Sequence, residues 1–113
     1  MKMTVGDLAE LSCLQLATEG TGLDAPVDGG YVGDLLSVVM GNAQANQVWV
    51  TIQSHVNIIA VAALAGIPAI IIAHGYEPER ETLEKAKEEG IEIFTTKLDS
   101  FSIIRTLILE KGL

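Results

Sequence analysis

Between Leu35 and Tyr76 the chain carries no Asp, Glu, Lys or Arg, and within that span the segment TIQSHVNIIAVAALAGIPAIIIAHG, from Thr51 to Gly75, holds both histidines, His55 and His74. A stretch this long without charge must be removed from water by a membrane or by the rest of the fold. Its longest nearly unbroken apolar run, Ile58 to Ala73, falls short of the roughly 20 residues that span a bilayer. Gly66-Ile67-Pro68 also interrupts it, and a proline at that place breaks a helix. The segment is expected to be the buried core of a globular domain, with no membrane partner.

The chain is 113 residues long and 49% hydrophobic, enough for one compact core, so residues 1–113 are expected to form a single domain. A net charge of -8 with only seven Lys and Arg leaves no basic stripe, which argues against a nucleic acid polymer as partner. Cys13 is the one cysteine and cannot close an internal disulfide. The opening MKMTVGDLAEL lacks the pattern of a secretory signal. A cytoplasmic location is expected, and no cofactor.

Periodicity divides the chain into short elements. Thr4 and Asp7 have the spacing of a helix cap, and Val5, Leu8, Ala9 and Leu11 predict a short helix ending near Ser12. A strand is expected over residues 13–17, then a surface loop in TEGTGLDAPVDGG leading into Tyr31-Val32. Helices are predicted over 34–43, 55–65, 78–89 and 99–111, the last three closed by Gly66, Gly90 and Gly112. Strands are predicted over 48–52, 69–73 and 91–94. Strands joined through helices imply an α/β fold, three-layered, with a largely parallel central sheet. The helix in HVNIIAVAALAG is apolar all round after Asn57, and a short chain has little with which to cover it twice. A homodimer is therefore expected.

In open parallel sheets, ligands sit beyond the carboxyl ends of the strands. Thr51, Gln53, His55, Asn57, His74, Gly75, Thr95 and Thr96 fall in the corresponding loops and form a candidate ligand-binding cluster. Asp28, Gly29 and Gly30 of the GGYVG region are added as a second stretch that could face a ligand, although their plainer meaning is a tight backbone position. The structural alternative is that Ser54, Thr95, Thr96, Asp99 and Ser100 only cap helices. No catalytic residue is assigned, because neither histidine has a carboxylate or nucleophile at a suggestive spacing. No metal site is expected either, since no further ligand residues stand at metal-binding spacing. Cys13 and Trp49 read as core.

GGYVGDLLSVVM, followed by VWVTIQSHVNIIAVAALAGIPAIIIAHGYEPERETLEKAKEEGIEIFTTKLDSF, closely resembles the DRTGG domain, an α/β module similar to the N-terminal domain of HPr kinase/phosphorylase. The resemblance runs over nearly all of the chain from Gly29 onward. The motif that names the family aligns with Pro26-Val27-Asp28-Gly29-Gly30, so only its two glycines are kept. The resemblance implies an HPr-kinase-N-terminal-domain-like fold, a dimer and an accessory regulatory context rather than a reaction. The expected function is a non-catalytic module that homodimerises and senses a small phosphorylated or nucleotide-like ligand. The alternatives are a purely structural dimerisation module and a small enzyme using His55 or His74.

Overall fold

The computed structural model describes residues 3–113; Met1 and Lys2, which the sequence assigns to the same domain, lie outside the described residues. The N-terminal part builds only short elements: β1 (Met3–Thr4), α1 (Val5–Leu8), β2 (Gln15–Leu16) and β3 (Pro26–Val27). Strand and helix then alternate through β4 (Gly29–Val32), α2 (Leu36–Asn42), β5 (Gln47–Thr51), α3 (Asn57–Ala65), β6 (Ala69–Ile72), α4 (Arg80–Glu89), β7 (Glu92–Thr95) and α5 (Ser100–Lys111). Five strands form one sheet in the order β2-β7-β6-β5-β4, while β1 and β3 make a separate antiparallel pair. The β4–β5, β5–β6 and β6–β7 pairings are parallel, and only β2 runs antiparallel, against β7.

Alternation along the strands explains the three layers. Val48, Val50, Ala69, Ile71 and Phe94 face one side, where α1 contributes Val5 and Leu8 and α5 contributes Ile103 and Leu107. Trp49, Ile70, Ile72 and Ile93 face the other, against Val39 of α2, Ile58, Ile59 and Ala62 of α3 and Ala86 of α4. Both faces of the central strands are thus covered, which is why AIII in β6 is apolar without alternation. Each such buried aliphatic side chain contributes about 1.5–3 kcal/mol. The uncharged span is the core that its composition predicts.

Two expectations change. Gly29–Val32 is a full strand in parallel register with β5, Gly29 opposite Gln47 and Val32 opposite Val50, where the sequence pointed to a loop running into Tyr31. Two glycines carry little strand propensity of their own, so pairing with a neighbouring strand decides their conformation. The apolar helix α3 is covered from both flanks, by α2 and α4 as well as by the sheet. Of its large side chains Leu64 remains exposed.

The start of β7 carries a charged group that no pattern in the sequence singles out. Glu92 is 1% exposed. Its carboxylate accepts the N–H groups of Gly20 at 3.2 Å and Gly22 at 2.5 Å together with the Thr18 hydroxyl. Thr18 Oγ1 in turn accepts the Ile93 N–H at 3.1 Å. A buried carboxylate is tolerated only when hydrogen-bonded in this way. Gly22 is needed because a Cβ there would stand 2.9 Å from the Gly90 carbonyl oxygen.

Candidate functional site

The order of the parallel strands determines where a crevice can open. β4, β5, β6 and β7 are neighbours in sequence order, and the helices joining them, α2, α3 and α4, pack on one face. The helix that follows β7 packs on the other face. The loops leaving β6 and β7 therefore diverge to opposite sides of the sheet, and a gap forms where adjacent strand ends send the chain in opposite directions. A cleft of about 360 Å³ lies there, lined by Gly75 and Glu77 from the β6 loop, Thr95, Thr96, Lys97 and Leu98 from the end of β7, and Ser12 to Gln15 from the turn into β2.

Three of the expected site residues, Gly75, Thr95 and Thr96, meet in this cleft. The backbone brings them together: the His74 N–H donates to the Leu98 carbonyl at 2.8 Å and the Gly75 N–H to the Thr96 carbonyl at 2.9 Å. Both His74 (φ 66°) and Gly75 (φ 75°) are left-handed, a conformation uncommon for a non-glycine residue. The His74 side chain is exposed, its ring 6.5 Å from that of Tyr76, and does not line the cleft.

Thr95 and Thr96 are 7% and 5% exposed. Thr96 Oγ1 accepts the Leu98 N–H at 3.2 Å. The Thr95 hydroxyl bonds to no protein atom among the described residues, yet no buried side-chain oxygen or nitrogen there is both sealed and unpartnered. Its oxygen is therefore within reach of solvent, in a residue that lines the cleft. Helix α5 is capped instead by Asp99, whose Oδ1 accepts the Ser102 N–H at 2.7 Å. Hydrogen bonding from Ser102, by side chain and then backbone, holds the Asp99 carboxyl below its usual range, with a smaller attraction from His74.

The β5 loop lies beside a different partner. Asp34 Oδ1 accepts the Thr51 hydroxyl and the Ile52 N–H, both at 2.9 Å, and the Asp34 carbonyl accepts Gln53 Nε2 at 2.8 Å. The Ser54 carbonyl accepts the Thr82 hydroxyl at 2.7 Å and the Glu79 N–H at 3.2 Å, tying the loop to α4. Ser54 does not cap α3 with its hydroxyl, as the sequence allowed. At the start of that helix His55 Nδ1 accepts the Asn57 N–H at 3.2 Å. The His55 and Asn57 side chains are exposed and outside the cleft.

Asp28, Gly29 and Gly30 lie elsewhere. Gly29 and Gly30 pair with Gln47 and Val48 at the start of β5, and the Asp28 N–H donates to the Asn46 carbonyl at 2.8 Å, so all three occupy the amino edge of the sheet. The parallel register separates them from the strand-end cluster. A Cβ at Gly29 would meet nothing within 4 Å, so the tight backbone position anticipated for it is not required. Cys13, read as core, does pack against the α1–α5 side of the core, and it also lines the cleft. Lys97 falls in the strand-end loop Thr95-Thr96-Lys97 but is not among the expected site residues, and Gln15 stands in no motif. Only the antiparallel pairing of Gln15 with Thr95 brings the β2 turn to this place.

Among the described residues no helix is long and apolar enough to cross a membrane. A search of curated proteins finds no match. Among solved structures, the chain is similar to the CBS and DRTGG domains of the regulatory region of Clostridium perfringens pyrophosphatase, crystallised with its activator diadenosine tetraphosphate. The identity is 18% and the TM-score 0.69, over 84% of this chain and 41% of that one. The likeness at that identity is one of fold, and this chain spans less than half of the regulatory region it matches. The DRTGG family profile matches residues 34–109, beginning at the aspartate that gathers the β5 loop and ending within α5. The chain belongs to the DRTGG domain family.

Proposed function

We propose that this domain is a non-catalytic regulatory module that binds a small phosphorylated or nucleotide-like metabolite at the carboxyl edge of its sheet and acts as a homodimer. The observation that carries the ligand reading is the Thr95 hydroxyl: within a residue 7% exposed, it bonds to no described protein atom and lies where a cleft opens between diverging loops. The similar pyrophosphatase region, crystallised with a nucleotide activator, lends the ligand class support by analogy. The test is a thermal-shift screen of nucleotides and phosphorylated metabolites, since a ligand that binds the native state raises the melting temperature with concentration. A concentration-dependent rise supports the reading, and a flat response across the whole panel rejects it.

The dimer rests on apolar surface left open on the α5 side of the sheet. A groove of about 190 Å³ runs between the edge strand β4 and α5, lined by Gly30, Val32, Ile104, Ile108 and Leu113 among others. Val32 is 50% and Ile108 54% exposed. Exposed apolar groups gathered beside an open strand edge mark an association surface. Light scattering at micromolar concentration should give twice the chain mass of 12.0 kDa, and a monomer mass rejects this part.

The purely structural reading draws on the internal bonds of Thr51, Gln53, His55 and Asp99. It accounts for those four residues and leaves Thr95 unexplained.

A further inference from the structure

Charge and size at the cleft narrow the ligand class beyond phosphorylated or nucleotide-like. Lys85, Lys87 and Lys111 each lie within 4 Å of a glutamate oxygen. Lys97, at the cleft, pairs with no carboxylate among the described residues, although the chain carries a net charge of -8. Beside it are the unpartnered Thr95 hydroxyl and the Thr96 hydroxyl, whose oxygen accepts the Leu98 N–H and whose proton remains to be donated. An ammonium and hydroxyl donors lining one cleft suit the oxygens of a phosphate.

Glu77, the one carboxylate in the lining, is also in no ion pair among the described residues. It would repel a second phosphate and accept from the hydroxyls of a sugar. The volume of about 360 Å³ is near the low end of the roughly 300–1,000 Å³ typical of small-molecule pockets. That suits a molecule with one sugar and one phosphate. A dinucleoside tetraphosphate brings a much larger body and several negative charges to a site holding a single cation.

Resting on the strand-edge reading above, we propose that the cleft between the Ser12–Gln15 turn and the β7–α5 loop binds a phosphomonoester of nucleoside size, with the phosphate held by Lys97, Thr95 and Thr96 and sugar hydroxyls by Glu77. Diadenosine tetraphosphate, which accompanies the similar pyrophosphatase region, is expected to bind it more weakly than a monophosphate.

Cys13 lines the same cleft and is half-buried, so the rate of its labelling is the chosen probe of occupancy. The experiment follows the rate of Cys13 labelling by a disulfide reagent with adenosine 5′-monophosphate, inorganic phosphate, adenosine or diadenosine tetraphosphate present, in the wild type and in Lys97→Ala and Thr95→Val. The expected result has three parts: the monophosphate slows labelling at concentrations where adenosine does not; inorganic phosphate competes weakly; and Lys97→Ala raises the apparent Kd about tenfold or more, the loss of one charge-assisted contact. Equal protection by adenosine, tighter binding of the tetraphosphate, or indifference to Lys97→Ala overturns the assignment. Arg80→Ala, which removes an exposed cation outside the cleft, controls for overall charge. If the monophosphate raises the melting temperature while Cys13 stays unprotected, and His55→Ala or Asn57→Ala abolishes that rise, the cleft is rejected and the strand-edge reading survives. If no phosphorylated compound raises the melting temperature, both are rejected.

Discussion

The two ends of β7 bury polar groups in opposite ways. At its start Glu92 is 1% exposed and its carboxylate takes three donors, from Thr18, Gly20 and Gly22. At its end Thr95 is 7% exposed and its hydroxyl takes none from the described protein atoms. The first group is closed by a glycine-rich loop folded over it. The second is left at a gap because the chain crosses there from the α4 side of the sheet to the α5 side. A saturated polar group holds structure together, and an open one at a cleft is available to something that arrives later.

This difference makes the two ends respond differently to mutation. The largest expected effect is at the closed end: Glu92→Ala leaves the Gly20 and Gly22 N–H groups without their acceptor and should destabilise the fold by about 3 kcal/mol in urea denaturation. A loss below about 1 kcal/mol would mean that the loop does not depend on the carboxylate. Gly22→Ala forces a methyl group toward the Gly90 carbonyl and should lose about 1–3 kcal/mol by the same measurement.

Between the two extremes stands Asp34. Asp34→Ala strips the acceptor from the Thr51 hydroxyl, in a residue 0% exposed, and from the Ile52 N–H, and should lose about 1–2 kcal/mol. A smaller effect is expected at the α5 cap. The folded Asp99 carboxyl titrates below its unfolded value, so its contribution is full above the unfolded pKa of about 3.9 and disappears as pH falls through the lower folded value. Asp99→Asn should flatten the stability curve in that acid range and leave its slope near neutral pH unchanged. The smallest stability effect belongs to the open end. Thr95→Val should lie within about 0.5 kcal/mol of the wild type, because the hydroxyl it removes bonds to no described protein atom. A loss as large as that for Glu92→Ala would erase the contrast between the two ends.

Much of the scaffold is legible from local pattern. Glycines at 66, 90 and 112 each end a helix in the left-handed conformation, and the apolar runs around Trp49, Ile71 and Ile93 become the central strands. β4 was hidden because Gly29 and Gly30 owe their strand conformation to β5. Glu92 was hidden because its partners, Thr18 to Gly22, are about seventy positions away in sequence. Of the expected site residues, Gly75, Thr95 and Thr96 lie beside one another, since parallel strands align their ends. The strand-end rule could not separate them from Thr51, Gln53, His55 and Asn57, because which side each following helix takes is set by packing. The contribution of Ser12 to Gln15 depends on an antiparallel strand that arrives from the other end of the chain.

The most direct test of a closed end and an open one on the same strand is a titration of the ¹⁵N-labelled protein with adenosine 5′-monophosphate, followed by amide chemical shifts. Saturable shifts are expected at Gly75, Thr95, Thr96 and Lys97, with the amides of Gly20, Gly22, Gly29 and Gly30 unmoved. Saturable shifts confined to Asp28–Gly30 or to the Glu92 loop, or no saturable shift anywhere, would contradict the contrast.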